Sequence, residues 1–398
     1  MNSLELFSGA GGLAKGLEEA GFNHAAFVEF NSHACSSLRE NFDPQKVFCG
    51  DIRDFDLGEL GSIDVVAGGP PCQPFSLGGK SKAHDDSRDM FPYAIRAIER
   101  LSPKAFIFEN VKGLLRASFS SYFEYLLLRL TYPGFANAQG DDWQDHLKVL
   151  RHIDGMDYAG AKYHVQYRLV NAADYGVPQT RERVVIVGIR ADIDAGWTFP
   201  TPTHSEDSLL WDQYVTNAYW QRHGIPPPHR EFASGDEQKD RVSRVRRLQA
   251  RYAMFEPETL PWQTVRDALK DVPHPNSGHA IEDHIYKGGA RSYPGHTGSY
   301  IDWPAKTIKA GGHGVPGGEN MIRFADGSIR YFTVHEAKLI QTFPRDFKIK
   351  GAWGEAMRQI GNAVPVRLAS MLGQHLARSL GMQNDPQNHN LLSSPDCC

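Results

Sequence analysis

The chain has 398 residues, 41% of them hydrophobic and 23% charged, enough for a large buried core plus a smaller second unit. Its net charge of −4 excludes a protein that coats nucleic acid through bulk basicity, while leaving room for a local basic face. Five cysteines without regular spacing exclude a disulfide framework, and no apolar run approaches the ~18 residues of a membrane span. With no signal-peptide pattern, the expected location is cytoplasmic. Cys397 and Cys398 close a polar tail and receive no role.

Leu4-Glu5-Leu6 reads as a strand, Ser8-Gly9-Ala10-Gly11-Gly12 as a tight turn, and the residues to about Ala20 as a helix. Gly9, Gly11 and Ala14 satisfy the relaxed dinucleotide fingerprint, so any adenosine-containing ligand, NAD included, suits this turn. A second strand, Ala25 to Val28, ends in Glu29 beside Phe30; a third, Val47 to Gly50, ends in Asp51. Singly, each acid is an ordinary solvated loop residue. Together, at successive strand tips, they suit the ribose hydroxyls and amino group of an adenosyl moiety.

Ile63 to Ala67 has the length and branching of a buried parallel strand and leads into Gly68-Gly69-Pro70-Pro71-Cys72-Gln73-Pro74-Phe75-Ser76. The prolines stop the strand and stiffen the backbone around one thiol. A lone cysteine is more often core filler, but one at the carboxyl end of a strand stands where open α/β sheets place their chemistry. The polar stretch Leu77 to Arg88 is not a phosphate-binding loop, because Pro74 replaces its first required glycine.

Phe91 to Leu101 has helical spacing, and the strand Ala105 to Phe108 ends in Glu109-Asn110-Val111. Residues 131–160 are irregular and are expected to form a surface insertion with a short helix near Gln144–Arg151. Val165–Val170 and Val184–Gly188 have the composition of hairpin arms, with Gln179-Thr180-Arg181-Glu182-Arg183 before the second. From about Asp192, clustered prolines mark departure from the sheet domain. Arg241, Arg244, Arg246, Arg247 and Arg251 lie on one predicted helix, either a solvated face or a phosphate-contacting one. Lys306 to Gly318 is dense in glycine, which lets backbone enter a groove closely. Thr333 and Glu336 form a capping box for a helix running to Gln341, with His335 structural. Gln359 to Val366 precedes a last helix, Arg367 to Leu380, and residues after Met382 read as disordered.

Phe-Ser-Gly-Ala-Gly-Gly, Pro-Pro-Cys-Gln-Pro-Phe-Ser, Glu-Asn-Val, Gln-x-Arg-x-Arg, the Arg330–Pro344 stretch and Gln359–Val366 resemble, in order, motifs of the cytosine-5 DNA methyltransferases. The resemblance implies a doubly wound, mostly parallel α/β sheet of the Rossmann-like methyltransferase kind. It divides the chain into a catalytic domain over 1–191, an inserted target recognition domain over 192–344, and a return to the catalytic domain over 345–398. The implied reaction transfers a methyl group from S-adenosylmethionine to C5 of a flipped-out cytosine in double-stranded DNA, without a metal. Cys72 would add to C6, Glu109 would hold N3, Arg183 would contact O2, and Arg181 would support the active-site loop.

The cofactor would be bordered by Phe7, Gly9, Gly11, Gly12, Glu29, Phe30, Asp51, Ile52, Pro70, Asn362 and Val364, the last two packing back against the first strand. Phe30 stands where many members carry Trp. Candidate DNA contacts are Gln73, Ser76, Lys80 and Arg88 on the loop, Arg244 and Arg247 on the basic helix, and Lys309 and His313 in the glycine-rich segment. The resemblance also implies a bacterial, nucleoid-associated enzyme with a separately encoded restriction endonuclease. Two rivals stand beside this reading. A transfer-RNA cytosine-5 methyltransferase shares Pro-Pro-Cys-Gln-Pro-Phe, but its Cys-Phe-Thr signature is missing. A catalytically idle DNA-binding relative would not need Cys72, Glu109 and Arg183 intact.

Overall fold

The computed structural model describes residues 1–71, 89–135, 142–154, 156, 158–193, 196–227, 236–253, 255–294, 296–310 and 320–382. Cys72, Gln73, Ser76, Lys80, Arg88 and His313, and the tail with Cys397 and Cys398, lie outside the described residues.

The first half of the chain alternates strands and helices: β1 (Asn2–Leu6), α1 (Gly12–Glu19), β2 (Asn23–Glu29), α2 (Ser32–Asn41), β3 (Val47–Cys49), β4 (Val65–Gly68), α3 (Phe91–Leu101), β5 (Ala105–Val111), α4 (Ser120–Thr131), α5 (Trp143–Ile153), β6 (Tyr163–Asn171) and β7 (Glu182–Arg190). These strands form one seven-stranded sheet in the order β3-β2-β1-β4-β5-β7-β6. Pairing is parallel through β3, β2, β1, β4 and β5, whereas β7 runs antiparallel to both β5 and β6. The chain therefore reverses its winding between β1 and β4, and a crevice at their carboxyl ends is the place such sheets offer a ligand.

The central strands are near-continuous apolar runs because both faces are covered. Leu4, Leu6, Val66, Phe106 and Phe108 pack with Ile95, Ile98, Leu126 and Leu130 of α3 and α4 on one face. Val65, Ala67, Ala105 and Ile107 pack on the other with Leu13 and Leu17.

The second half adds small units: β8 (His204–Ser205), α6 (Glu206–Tyr214), α7 (Ala218–Arg222), α8 (Asp236–Tyr252), β9 (Leu260–Pro261), α9 (Val265–Ala268), β10 (Ser299–Tyr300), β11 (Met321–Arg323), β12 (Ile329–Tyr331), α10 (Val334–Ile340), α11 (Trp353–Asn362) and α12 (Val366–Ser379). The capping box of α10 forms as expected, with Glu336 also bound by both terminal nitrogens of Arg330 at 2.6 Å. His335 faces Asp283 at 3.1 Å, in keeping with a structural part.

The short helix expected near Gln144–Arg151 is present as α5, which buries His146, Leu147 and Leu150 and packs beside α4, because its apolar residues fall at helical spacing. One expectation needs correction. The returning motif meets the start of α1 rather than β1: the Val364 carbonyl lies against Gly12, Val364 shares a core cluster with Leu13 and Leu17, and α12 continues along α1. Leu368, Leu372 and Leu376 join Leu13 and Leu17 there, each contributing about 1.5–3 kcal/mol by burial.

Candidate active site

Four adjacent strand ends make the first half of the site. β1 delivers Phe7 and the glycine turn, β2 delivers Glu29 and Phe30, β3 is followed by Asp51 and Ile52, and β4 by Gly69-Pro70-Pro71. At the usual strand spacing these four ends span about 14 Å, the scale of a nucleoside with a short attached chain.

Phe7 holds a φ of 53°, a left-handed conformation that costs a non-glycine residue about 1 kcal/mol or more and clusters at functional sites. Gly11 has a φ of 87°. Gly12 is needed for a different reason: a Cβ there would lie 2.3 Å from the Val364 carbonyl oxygen. Residues 352 positions apart, 12 and 364, are thus in backbone contact, so the turn at 363–365 roofs the glycine turn. Asn362 ends α11 exposed to solvent, while Val364 is buried.

Glu29 is fixed by the backbone it faces. Gly9 N–H donates to one carboxylate oxygen at 2.7 Å and Asn31 N–H to the other at 2.8 Å. Each oxygen keeps a further lone pair for a ligand hydroxyl. A Cβ on Gly9 would meet nothing within 4 Å, so the turn lies open on that side, and Phe30 is 77% exposed beside it. A carboxylate with spare acceptors, an unobstructed glycine turn and a free aromatic face fit an adenosyl group. Asp51 differs from expectation in one respect: both its oxygens are engaged by Arg53, at 2.9 and 2.5 Å. These hydrogen bonds hold its pKa down at about 2.

The second half sits where β5 and β7 end. Glu109, on β5, meets Arg183 of β7 with Oε1 2.7 Å from Nε. Both side chains are nearly buried, at 11% and 14% exposure, so the pair is shielded from the solvent screening that weakens surface pairs. Asn110 turns the other way and donates from Nδ2 to the Pro70 carbonyl at 2.9 Å. That bond ties the end of β5 to the backbone leading into Cys72. A Cβ on Gly69 would sit 3.7 Å from Glu109 Oε2, which places the carboxylate over the same backbone. The Pro71 carbonyl accepts from Met90 N–H at 3.1 Å, so the two ends of the 72–88 segment are held together at this point.

Arg181 is 1% exposed. Its Nη2 donates to the Gly361 carbonyl at 2.8 Å, while Nε and Nη1 have no partner among the described residues. Burial, reinforced by the like charge of Arg183, lowers its pKa to about 9. A buried cation with two idle donors stores an unmet demand for an acceptor.

Sequence reading missed two glutamines. Gln179 and Gln341 are fully buried and joined, Nε2 to Oε1, at 3.3 Å. Their place within recognised motifs was the available signal. Among the candidate DNA contacts, Arg244 pairs with Glu206 of α6 at 2.5 Å, and Arg247 bonds Ser243 on its own helix. Lys309 lies at the edge of the glycine-rich segment, its N–H bound by Asn320 Oδ1 at 3.0 Å.

Comparison with known proteins adds an independent line. The family model for C-5 cytosine-specific DNA methylase matches residues 1–140 and 141–378. The Type II methyltransferase M.NgoMIV of Neisseria gonorrhoeae is 30% identical over 387 residues, covering 96% of this chain and 99% of its own length. M.PspPI of Psychrobacter sp. (strain TA137) is 30% identical over 379 residues, covering 95% of this chain and 79% of its own. A solved structure of Spodoptera frugiperda DNMT2 shares the fold, with a TM-score of 0.54 at 17% identity over 95% of this chain and 99% of that one.

Proposed function

Because the chain belongs to the C-5 cytosine-specific DNA methylases, it transfers a methyl group from S-adenosylmethionine to C5 of cytosine in DNA, and we propose that Cys72, Glu109, Arg183 and Arg181 carry that chemistry. The observation that carries the assignment is the buried Glu109–Arg183 pair, tied through Asn110 to the backbone that enters Cys72.

The cofactor, when bound, supplies an electrophilic methyl group. Phe7, the Gly9–Gly12 turn, Glu29, Phe30, Ile52, Pro70, Asn362 and Val364 would hold it. Glu29 would offer its remaining lone pairs to the ribose hydroxyls, and Asp51, beside Arg53, would have acceptor capacity left for the adenine amino group. The target cytosine leaves the stack, since C6 is out of reach in a duplex. Sγ of Cys72 adds to C6, breaking the C5–C6 π bond and making C5 nucleophilic. Glu109 bonds N3 and Arg183 bonds O2, where charge builds up as the sulfur adds. Once C5 carries the methyl group, with S-adenosylhomocysteine as the leaving product, C5 gives its proton to a base; the electron pair left behind reforms the C5–C6 double bond and expels the Cys72 thiolate. Arg181, two of whose donors lack a partner among the described residues, would support the active-site loop.

The remaining parts of this reading are the division at 191 and 344, DNA contacts by Gln73, Ser76, Lys80, Arg88, Arg244, Arg247, Lys309 and His313, and a separately encoded restriction endonuclease. A cytoplasmic, nucleoid-associated location goes with them; no helix among the described residues is long and apolar enough to cross a membrane. The deciding experiment incubates the protein with labelled cofactor and either DNA or transfer RNA, then challenges it with 5-fluorocytosine DNA. Label on DNA and an adduct mapped to Cys72, both lost in Cys72→Ser, are expected. Label on RNA alone, or an adduct that survives Cys72→Ser, refutes the assignment.

A further inference from the structure

The turn at 360–364 is held from several sides. Gly12 presses on the Val364 carbonyl, and Arg181 binds the Gly361 carbonyl. A Cβ on Gly361 would lie 2.6 Å from the backbone of Lys309 and Ala310. On another side, the Gln341 side-chain amide donates from Nε2 to the carbonyls of Ile360, at 2.7 Å, and Ala363, at 3.2 Å. Its Oε1 accepts from Gln179 at 3.3 Å, and Gln179 Oε1 accepts from Ile308 N–H at 3.2 Å. Thr180 and Ala305 lock the same region, Thr180 N–H to the Ala305 carbonyl at 2.8 Å.

One fully buried amide therefore grips the turn over the cofactor crevice with its nitrogen. With its oxygen it holds, through a second amide, the segment between Arg181 and the glycine-rich stretch. Both amides are fully buried, where an unmade bond costs about 1–3 kcal/mol, so the links persist or rearrange together.

We propose that Gln341 is a positioning residue that couples occupancy of the cofactor crevice to the geometry of the base-holding and DNA-facing segments. This rests on the methyltransferase reading above. A ligand seated under the turn fixes 360–364; through Gln341 and Gln179 it fixes Ile308 and the segment that leads through Arg181 into Arg183 of β7. By reciprocity, DNA tightens the cofactor by the same factor.

The test measures the dissociation constant of a duplex that the wild-type protein methylates, with and without saturating S-adenosylhomocysteine, in wild type, Gln341→Leu and Gln179→Met. Wild type should show tightening of about 10–100-fold, within the usual range of coupling between sites. Each variant should reduce that ratio to about 3-fold or less, losing most of the coupling. In Gln179→Met, which leaves the bonds to Ile360 and Ala363 in place, the affinity for S-adenosylhomocysteine alone should stay near wild type. The proposal is overturned by an unchanged ratio in a folded variant, or by DNA affinity that falls equally with and without the cofactor product. It is also overturned by a wild type without coupling. If Gln341→Leu does not fold, Gln179→Met decides. A wild type that methylates no DNA would instead remove the reading on which the proposal rests.

Discussion

Glu109 and Arg183, 74 positions apart, meet at 2.7 Å because β5 and β7 run antiparallel with Val111 opposite Arg183 and Glu109 opposite Val185. The diagonal places the two side chains together at the strand ends, so neither can be repositioned without the other. Glu109→Gln and Arg183→Ala should each lower kcat by about 10²–10³-fold, the range for losing one positioned catalytic donor. Combined, they should fall no more than about 10-fold below the worse single variant, since residues acting as a unit are not additive. Single-turnover methyl transfer in the four-member cycle measures this, and full additivity would dissolve the pair as a functional unit.

Arg181 should show the opposite sign in stability and activity. Replacing it with Met removes a buried charge with two donors that lack a partner among the described residues, at the loss of one bond to Gly361. Arg181→Met should unfold at equal or higher denaturant, by up to about 2 kcal/mol, while methyl transfer falls at least about 10²-fold. A variant that loses stability and activity together would mean that the cation is satisfied in the resting protein.

Gly12→Ala should be costly where most helix substitutions of this kind are mild. A Cβ 2.3 Å from a carbonyl oxygen forces α1 and the 363–365 turn apart. The expected loss is about 2–3 kcal/mol of unfolding free energy, with a smaller rise in Tm on adding S-adenosylhomocysteine. Thermal melts with and without that ligand report both effects.

His204 carries a pH prediction. Burial, aided by the charge of Arg367, lowers its pKa from 6.5 to about 4. Between those values the unfolded chain binds the proton and the folded one does not, so stability falls as pH drops from 6.5 toward 4. The slope contributed by this group is at most about 1.4 kcal/mol per pH unit. Denaturant midpoints across that window should flatten in His204→Asn; an unchanged slope would assign the acid sensitivity elsewhere.

Much of this architecture is legible from local pattern. α3 runs from Phe91 to Leu101 as its spacing and Pro103 require, and the strand ends carrying Glu29, Asp51 and Glu109 follow from short apolar runs closed by acids. What is not legible depends on pairs brought together by the whole chain. Nothing near Gln179 announces a partner at Gln341, because a buried amide network has no period in sequence. Arg244 looks like a free cation until α6 brings up Glu206, and residues 131–160 look superficial until α5 docks on α4. The tightness of Gly12 under Val364 is likewise hidden, since a glycine-rich turn explains its first glycines without the last.

The contact between α1 and α12 also sets a schedule for synthesis. The amino-terminal helix leaves the ribosome long before its partner exists, and at about 5–20 residues per second the wait is roughly 20–70 s. During that interval Leu13 and Leu17 lack the surface that covers them in the finished protein. A nascent chain therefore cannot close its donor crevice until α12 has been made and has docked on α1.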